Sequence, residues 1–404
     1  MEIGRSNRLA GVAYDVRGPI QEEASRLEAQ GRRVIPLNIG NPAHFGFEAP
    51  PELIAEVARR LPEAEGYGDA KGIEPARRAI AAHYRGRGVA GTDADHVYVG
   101  NGVSELVGLA LLALLNEGDE VLVPAPDYPL WTATVRICGA KAVHYLCDEQ
   151  ADWWPDLSDL ATKVTSRTRA VVVINPNNPT GAVYPAEVLT AIAELARQHD
   201  LVVLADEIYE RLLYDGAEHV PMASVAPDRL CLSFGGLSKA YRLAGFRCGW
   251  LVVSGPTGHA RGFLSGLDVL ADLRLCANLP AQYAVEAALE GYQSIDDLVR
   301  PGGRLLEQRN LAWAMLNQID GVSCVKPAGA MYVFPRLHPS VHPVEDDRGL
   351  VLELLRATGV FVVPGSGFNW PRPDHLRIVT LAQVELLEEA IAALSDFLGS
   401  RRPY

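Results

Sequence analysis

Between about residues 95 and 255, short β-branched runs alternate with stretches whose apolar positions recur at helical spacing. Runs such as Val171-Val172-Val173-Ile174 and Val202-Val203-Leu204 carry no polar face. That pattern is expected of strands in a largely parallel sheet covered by helices on both sides. The reading gives seven strands, over Val97–Gly100, Glu120–Pro124, Ala142–Leu146, Ala170–Asn175, Leu201–Asp206, Arg229–Phe234 and Cys248–Val253. Between two of them, Pro185 suits a first helical turn, and Val188, Leu189, Ile192, Leu195 and Ala196 follow at helical spacing until His199-Asp200. The class is alternating α/β.

The flanks read differently. A helix around Ile20–Gln30, a strand at Val34–Asn38 and a Gly40-Asn41-Pro42 turn precede the block. Beyond Pro301 come a helix over Arg304–Gln318, a strand-pair pattern at Val322–Lys326 and Met331–Phe334, and a helix over Gly349–Ala357. Strands at Val360–Val363 and His375–Thr380 and a helix through Leu398 end the chain. The expected organisation is an N-terminal arm contributing to a smaller domain (1–46), a large domain (47–300) and a C-terminal part of the smaller α/β domain (301–404), so that the small domain is built from both chain ends.

Composition narrows the function. At 48% hydrophobic and 22% charged the chain is an ordinary globular one. Its net charge of −13 argues against a surface that binds nucleic acid through its phosphates. Apolar runs such as Leu109–Leu115 fall far short of the ~18 residues of a spanning helix. The N-terminus lacks the apolar block of a secretory signal, so a cytoplasmic location with no membrane association is expected. Six scattered cysteines without a C-x-x-C pair read as free thiols. His338 and His342, separated by Pro339, read as two solvated loop histidines, and no metal site is expected. No P-loop motif occurs.

Four segments at strand ends, where open α/β sheets bind ligands, combine polar or charged groups with Gly or Pro. Asn175-Pro176-Asn177-Asn178-Pro179-Thr180-Gly181 has a backbone fixed by prolines, able to hold an amide toward a ligand or simply to form a tight turn. Asp206-Glu207-Ile208-Tyr209 puts a carboxylate at a strand end, where it needs a positive partner or serves as a helix cap. Gly235 to Trp250 contains Ser238-Lys239 and Arg247, and a lysine so placed is a Schiff-base candidate or a solvated surface group. Asn101-Gly102-Val103-Ser104 opens a helix whose free N–H groups suit a phosphate.

Taken together, Gly40-Asn41-Pro42, Asn178-Pro179-Thr180-Gly181, Asp206 with Tyr209, Ser238-Lys239 with Arg247, and Arg377 resemble the class I/II pyridoxal-phosphate aminotransferases of fold type I. The blocks Pro124–Trp131, Asn175–Tyr184 and Gly236–Arg247 resemble above all the bacterial glutamate–pyruvate (alanine) aminotransferases, and the likeness spans nearly the whole chain.

The resemblance implies a large domain with a mostly parallel seven-stranded sheet, and reversible transamination between L-alanine and 2-oxoglutarate. Lys239 would carry the cofactor as a Schiff base and shuttle the α proton. Asp206 would pair with the pyridine nitrogen, while Tyr209 and Asn178 would bond the ring oxygen. Tyr128 would stack on the ring, and Arg247 with the Val103 and Ser104 backbone would grip the phosphate. Arg377, with Asn178 and the Gly40 backbone, would clamp the substrate carboxylate. Tyr14, in the N-terminal arm, would line a small substrate pocket beside Tyr128 to Trp131, and Arg17 is a candidate for glutamate's distal carboxylate. Tyr67 matches a position that reaches the neighbouring subunit's phosphate, which implies a homodimer with shared sites. Gly236 departs from the family, which often has a phosphate-binding serine three residues before the lysine, and leaves Ser238 to compensate. Fold type I also hosts lyases and aminotransferases for other small or branched amino acids, so fold and cofactor alone do not fix the reaction. Regulators with an aminotransferase-like domain carry an added basic helix-turn-helix, which this acidic chain is not expected to hold.

Overall fold

The computed structural model describes residues 3–9, 12 and 18–401; Tyr14 and Arg17 lie outside them. Its centre is an eight-stranded sheet in the order Val97–Gly100, Gly249–Ser254, Cys231–Gly236, Val202–Asp206, Thr168–Ile174, Glu120–Ala125, Lys141–Asp148, Trp154–Pro155. The sequence reading gives seven strands; the eighth is a two-residue antiparallel edge, too short for any periodicity to mark.

Alternation along the strands explains why apolar runs occupy this sheet. Val171, Val173 and Val203 face one core with Leu189 and Ile192 of the Ala186–Gln198 helix. Val172, Ile174 and Leu204 face another, with Leu106 and Leu111 of Val103–Leu114 and Leu267 of Arg261–Leu273. With helices on both faces, both sides of a central strand favour apolar residues.

The sheet is not parallel throughout. Gly249–Ser254 runs antiparallel to both of its neighbours. This reversal sets the site. Cys231–Gly236 ends at the carboxyl edge and the next strand begins there, so the connecting residues, Lys239 and Arg247 among them, never leave that edge. Val97–Gly100 ends there too and leads into the helix that starts at Val103.

A separate core joins the two flanks. Ile20, Ala24 and Leu27 of the Pro19–Ala29 helix pack with Leu316, Val351, Leu355, Leu387 and Leu394. Ile35–Pro36 pairs in parallel with Val360–Phe361.

The strand-pair pattern is corrected here. Val322–Ser323 pairs with Arg336–Leu337, and Tyr332–Val333 pairs with Leu376–Val379. The intervening segment is captured by the large sheet's loops, with Gly329 N donating to Gly181 O at 2.8 Å and Ala330 N to Leu212 O at 2.9 Å. The two strands therefore leave in different directions.

The solvated-histidine reading is also corrected. His342 is buried and bonds the Asp320 carbonyl at 2.8 Å, and half-buried His338 bonds Ser323 Oγ at 2.9 Å. His342 is therefore withdrawn from water, and His338 only in part.

Candidate active site

A cavity of about 600 Å³ opens at the carboxyl edge of the sheet. Gly102, next to the lining residues Val103 and Ser104, has φ +86°, a conformation that suits glycine, and a Cβ there would strike the Arg247 guanidinium. Gly102 caps the Val103–Leu114 helix without a side-chain bond, which leaves the first N–H groups free for an anion. Arg247 lies over this helix start, donating to the Ala244 carbonyl at 3.0 Å and the Asn101 carbonyl at 3.4 Å.

Lys239 sits in the turn after Cys231–Gly236 and donates to the Gly40 carbonyl at 2.8 Å. Its neighbour Ser238 lines the cavity. Gly236 has no room for a side chain, because a Cβ would lie 2.9 Å from the Cys248 carbonyl and 3.0 Å from Gly249 Cα. The family's serine at that place is therefore excluded by the packing of two antiparallel strands.

Asp206 ends its strand on the face that carries Trp131, and the indole N–H donates to Oδ2 at 3.0 Å. Burial pushes the Asp206 carboxyl above its ordinary value, eased by Trp131, the Ile208 N–H and the charge on Lys239. No salt bridge reaches this carboxylate among the described residues. A buried acid so placed suits a ligand that brings a protonated nitrogen.

Arg377 is 1% exposed and has no acidic partner among the described residues. Its Nη1 donates to Asn178 Oδ1 at 3.1 Å and its Nη2 to the Asn38 carbonyl, while Nε has no partner. Tyr332 and Phe368 rings flank the guanidinium at 4.5 and 4.6 Å. Charge buried this way calls for a planar anion such as a carboxylate. Tyr209 is buried and shares a 2.7 Å hydrogen bond with Tyr332, and burial pushes its phenol well up from the ordinary value.

The structure thus brings together Gly40, Val103, Ser104, Tyr128, Asn178, Asp206, Tyr209, Ser238, Lys239, Arg247 and Arg377 around one cavity. Tyr67 does not line it and is 83% exposed, and Tyr14 lies outside the described residues. Trp131 is not a wall of the pocket: it is fully buried behind Asp206. Tyr332, Ile39 and Ile208 also line the cavity and carried no signal in the sequence, since they sit in short apolar stretches that read as core. Three cations, Lys239, Arg247 and Arg377, face the space with one carboxylate, an unusual balance in a chain of net charge −13. The groups fit a ligand that carries a phosphate at one end and a basic ring nitrogen at the other, beside a second, carboxylate-bearing molecule.

A family model for class I and II aminotransferases matches residues 32–394. The alanine aminotransferase of Mycobacterium tuberculosis is 57% identical over 401 residues, covering 99% of this chain and 94% of the relative. The glutamate–pyruvate aminotransferase of Escherichia coli is 56% identical over 397 residues, covering 98% of each. A solved aminotransferase from Escherichia coli superposes with a TM-score of 0.99 at 55% identity, covering 100% of both chains.

Proposed function

The chain belongs to the class I and II aminotransferases, a pyridoxal-phosphate-dependent family of fold type I, and from that premise we propose that it transfers the amino group between L-alanine and 2-oxoglutarate, reversibly giving pyruvate and L-glutamate. The observation that carries this reading is the cavity's charge: three cations without acidic partners around one buried carboxylate. Two of them answer two separate anions, and the third is an amine.

Bound pyridoxal phosphate supplies an electron sink that acidifies the α hydrogen of an amino acid. The chain's own residues supply the rest. Arg247, the Val103 and Ser104 N–H groups and the Ser238 hydroxyl hold the phosphate. Asp206, kept in place by Trp131, accepts the proton-bearing ring nitrogen's hydrogen bond. Tyr209 and Tyr332 share a hydroxyl–hydroxyl bond, and with Tyr332 as its donor the Tyr209 hydrogen would be free for the ring oxygen. Asn178 accepts from Arg377 through its carbonyl, and its NH₂ would donate to the same ring oxygen. Tyr128 covers a ring face. Arg377 and the Gly40 loop grip the substrate carboxylate, and Lys239 Nζ takes the proton that leaves the substrate Cα.

In this reading residues 47–300 form the cofactor-binding body, and 1–46 with 301–404 form the smaller one that carries Arg377. The active form is a symmetric homodimer in which Tyr67 reaches the partner's phosphate, supported by its 83% exposure and by the exposed Leu61, Leu273 and Leu275. No helix among the described residues is long and apolar enough to cross a membrane. A cytoplasmic site of action agrees with six free cysteines. The test is a panel of amino donors against pyruvate and 2-oxoglutarate with product identification: alanine and glutamate should lead, and an elimination product or a different leading donor would overturn the assignment.

A further inference from the structure

Asp127 sits immediately before Tyr128 and is completely buried, yet it faces no cation and has no part in the chemistry above. Its bonds run across the molecule. Asn369 Nδ2 donates to Asp127 Oδ1 at 2.6 Å, and Asp127 N donates to the Phe368 carbonyl at 2.9 Å. Thr132 Oγ donates to Oδ2 at 2.7 Å and in turn bonds His144 Nε2 at 2.9 Å, so both carboxylate oxygens are occupied.

The far end is equally fixed. The Gly365–Phe368 turn is tied to the helix Asp347–Thr358 through Ser366, whose N and Oγ donate to Asp347 at 2.8 and 2.6 Å. Asn369 closes the turn with φ +56°, a conformation that asparagine tolerates better than most residues. Phe368 is the ring against Arg377. One end of the Asp127–Asn369 contact is thus covalently next to Tyr128, and the other is covalently next to the ring that flanks the carboxylate-binding arginine.

We propose that Asp127 and Asn369 are positioning residues forming a latch between the two bodies, which sets Tyr128 and the Phe368–Arg377 pair at the separation that grips a small amino acid's carboxylate. The proposal rests on Arg377 being the carboxylate site. A buried carboxylate with two donors is costly to leave half satisfied, so the pair acts as a unit. Its loss weakens the grip without touching the groups that move protons.

The test is a double-variant cycle on the holoenzyme with Asp127→Ala, Asn369→Ala and both, using the best donor the panel identifies. Each single variant should raise KM about tenfold with kcat little changed, and the double should be no worse than either single. Asn369→Gly keeps the left-handed turn, removes only the amide and should give the same KM. Exchanging the pair, Asp127→Asn with Asn369→Asp, should restore KM because donor and acceptor are merely swapped. Hydrogen exchange, which needs no substrate, should show residues 365–369 loosened by Asp127→Ala and residues 126–132 loosened by Asn369→Ala. Multiplying effects in the cycle, loosening confined to the mutated segment, or a wild-type KM in Asn369→Gly would each overturn the latch. Cross-body loosening with KM unmoved for every donor overturns the latch's link to the carboxylate site, while Arg377→Lys, which should raise KM for every donor, tests the reading of Arg377 on its own.

Discussion

Lys239 and Gly40, separated by 199 positions, meet through a 2.8 Å hydrogen bond from the side-chain amine to the main-chain carbonyl. Residue 40 is packed too closely for a side chain. A Cβ there would run into the Tyr332 hydroxyl and lie 3.2 Å from Met331 Sδ. Gly40→Ala should therefore displace the loop and lower kcat/KM about tenfold through overpacking. Tyr332→Phe removes the atom it strikes, so the double variant should be no slower than Gly40→Ala alone. Steady-state kinetics that show the two losses multiplying would separate the residues.

Asp206→Asn should fold normally and lose several orders of magnitude in turnover, because a neutral amide cannot hold a ring nitrogen protonated. Trp131→Phe removes the indole donor to Oδ2 together with part of a buried ring, and should cost about tenfold. Single-turnover rates alongside melting temperatures check both; a near-wild-type rate in Asp206→Asn would remove the residue from the chemistry.

His219 carries a pH dependence of stability. Its Nδ1 accepts from Arg87 at 2.7 Å and its Nε2 donates to the Asn175 carbonyl at 3.0 Å, the pattern of a neutral ring. Burial first, and Arg87 beside it, push its pKa down to about 3 from 6.5. The unfolded chain binds the extra proton within that window and the folded chain does not. The contribution is thus complete above pH 6.5 and is lost as pH falls toward 3, by about 1 kcal/mol per pH unit. His219→Gln keeps an acceptor and a donor without the titration. Urea unfolding at about pH 7.5 and about pH 5 should show the wild type losing more than the variant between the two conditions; equal losses would refute the assignment.

Shared sites can be tested by mixing chains. Lys239→Ala and Tyr67→Ala should each be nearly inactive as homodimers. Co-refolded heterodimers would pair an intact Lys239 with an intact Tyr67 from the other chain and regain up to half the wild-type sites. Proven heterodimers without that recovery would place Tyr67 outside the partner's site.

Legibility in the sequence followed range of interaction. Strands buried on both faces carry their own signature, as Val171 to Ile174 do, and Lys239, Asp206 and Asn178 stand in contiguous segments whose glycines and prolines announce a strand-end turn. Trp131 read as pocket wall because its neighbours Tyr128 and Leu130 do line the cavity, and only the fold shows the indole turned to the back of Asp206. Tyr332 and the Asn38 carbonyl act through contacts with Tyr209 and Arg377, far away in the chain, and no local pattern specifies those. His342 read as solvated from its prolines, yet it is buried and its ring bonds the Asp320 carbonyl, a contact that no local pattern specifies.

Substrate preference follows from which charges the cavity has left over. Among the described lining residues the only cations are Lys239, Arg247 and Arg377, and each already has an assignment under the proposed function. Nothing in that set remains for the side-chain carboxylate of aspartate, whereas alanine's methyl asks only for apolar wall, which Ile39, Leu130 and the aromatic rings of Tyr128 and Tyr332 provide. A carboxylate brought into such a wall unpaired is costly. L-Alanine with 2-oxoglutarate should therefore exceed L-aspartate with 2-oxoglutarate in kcat/KM, the quantity that measures discrimination between competing donors. Glutamate's distal carboxylate needs a further cation, for which Arg17, outside the described residues, is the candidate from the sequence. Arg377→Lys should damage every donor alike, because it loosens the fork that holds the common α-carboxylate. Arg17→Gln should instead raise KM for glutamate and 2-oxoglutarate while sparing alanine and pyruvate, and Tyr14→Ala should change the alanine-to-aspartate ratio. Aspartate or an aromatic amino acid outperforming alanine would show that the pocket is built for another side chain.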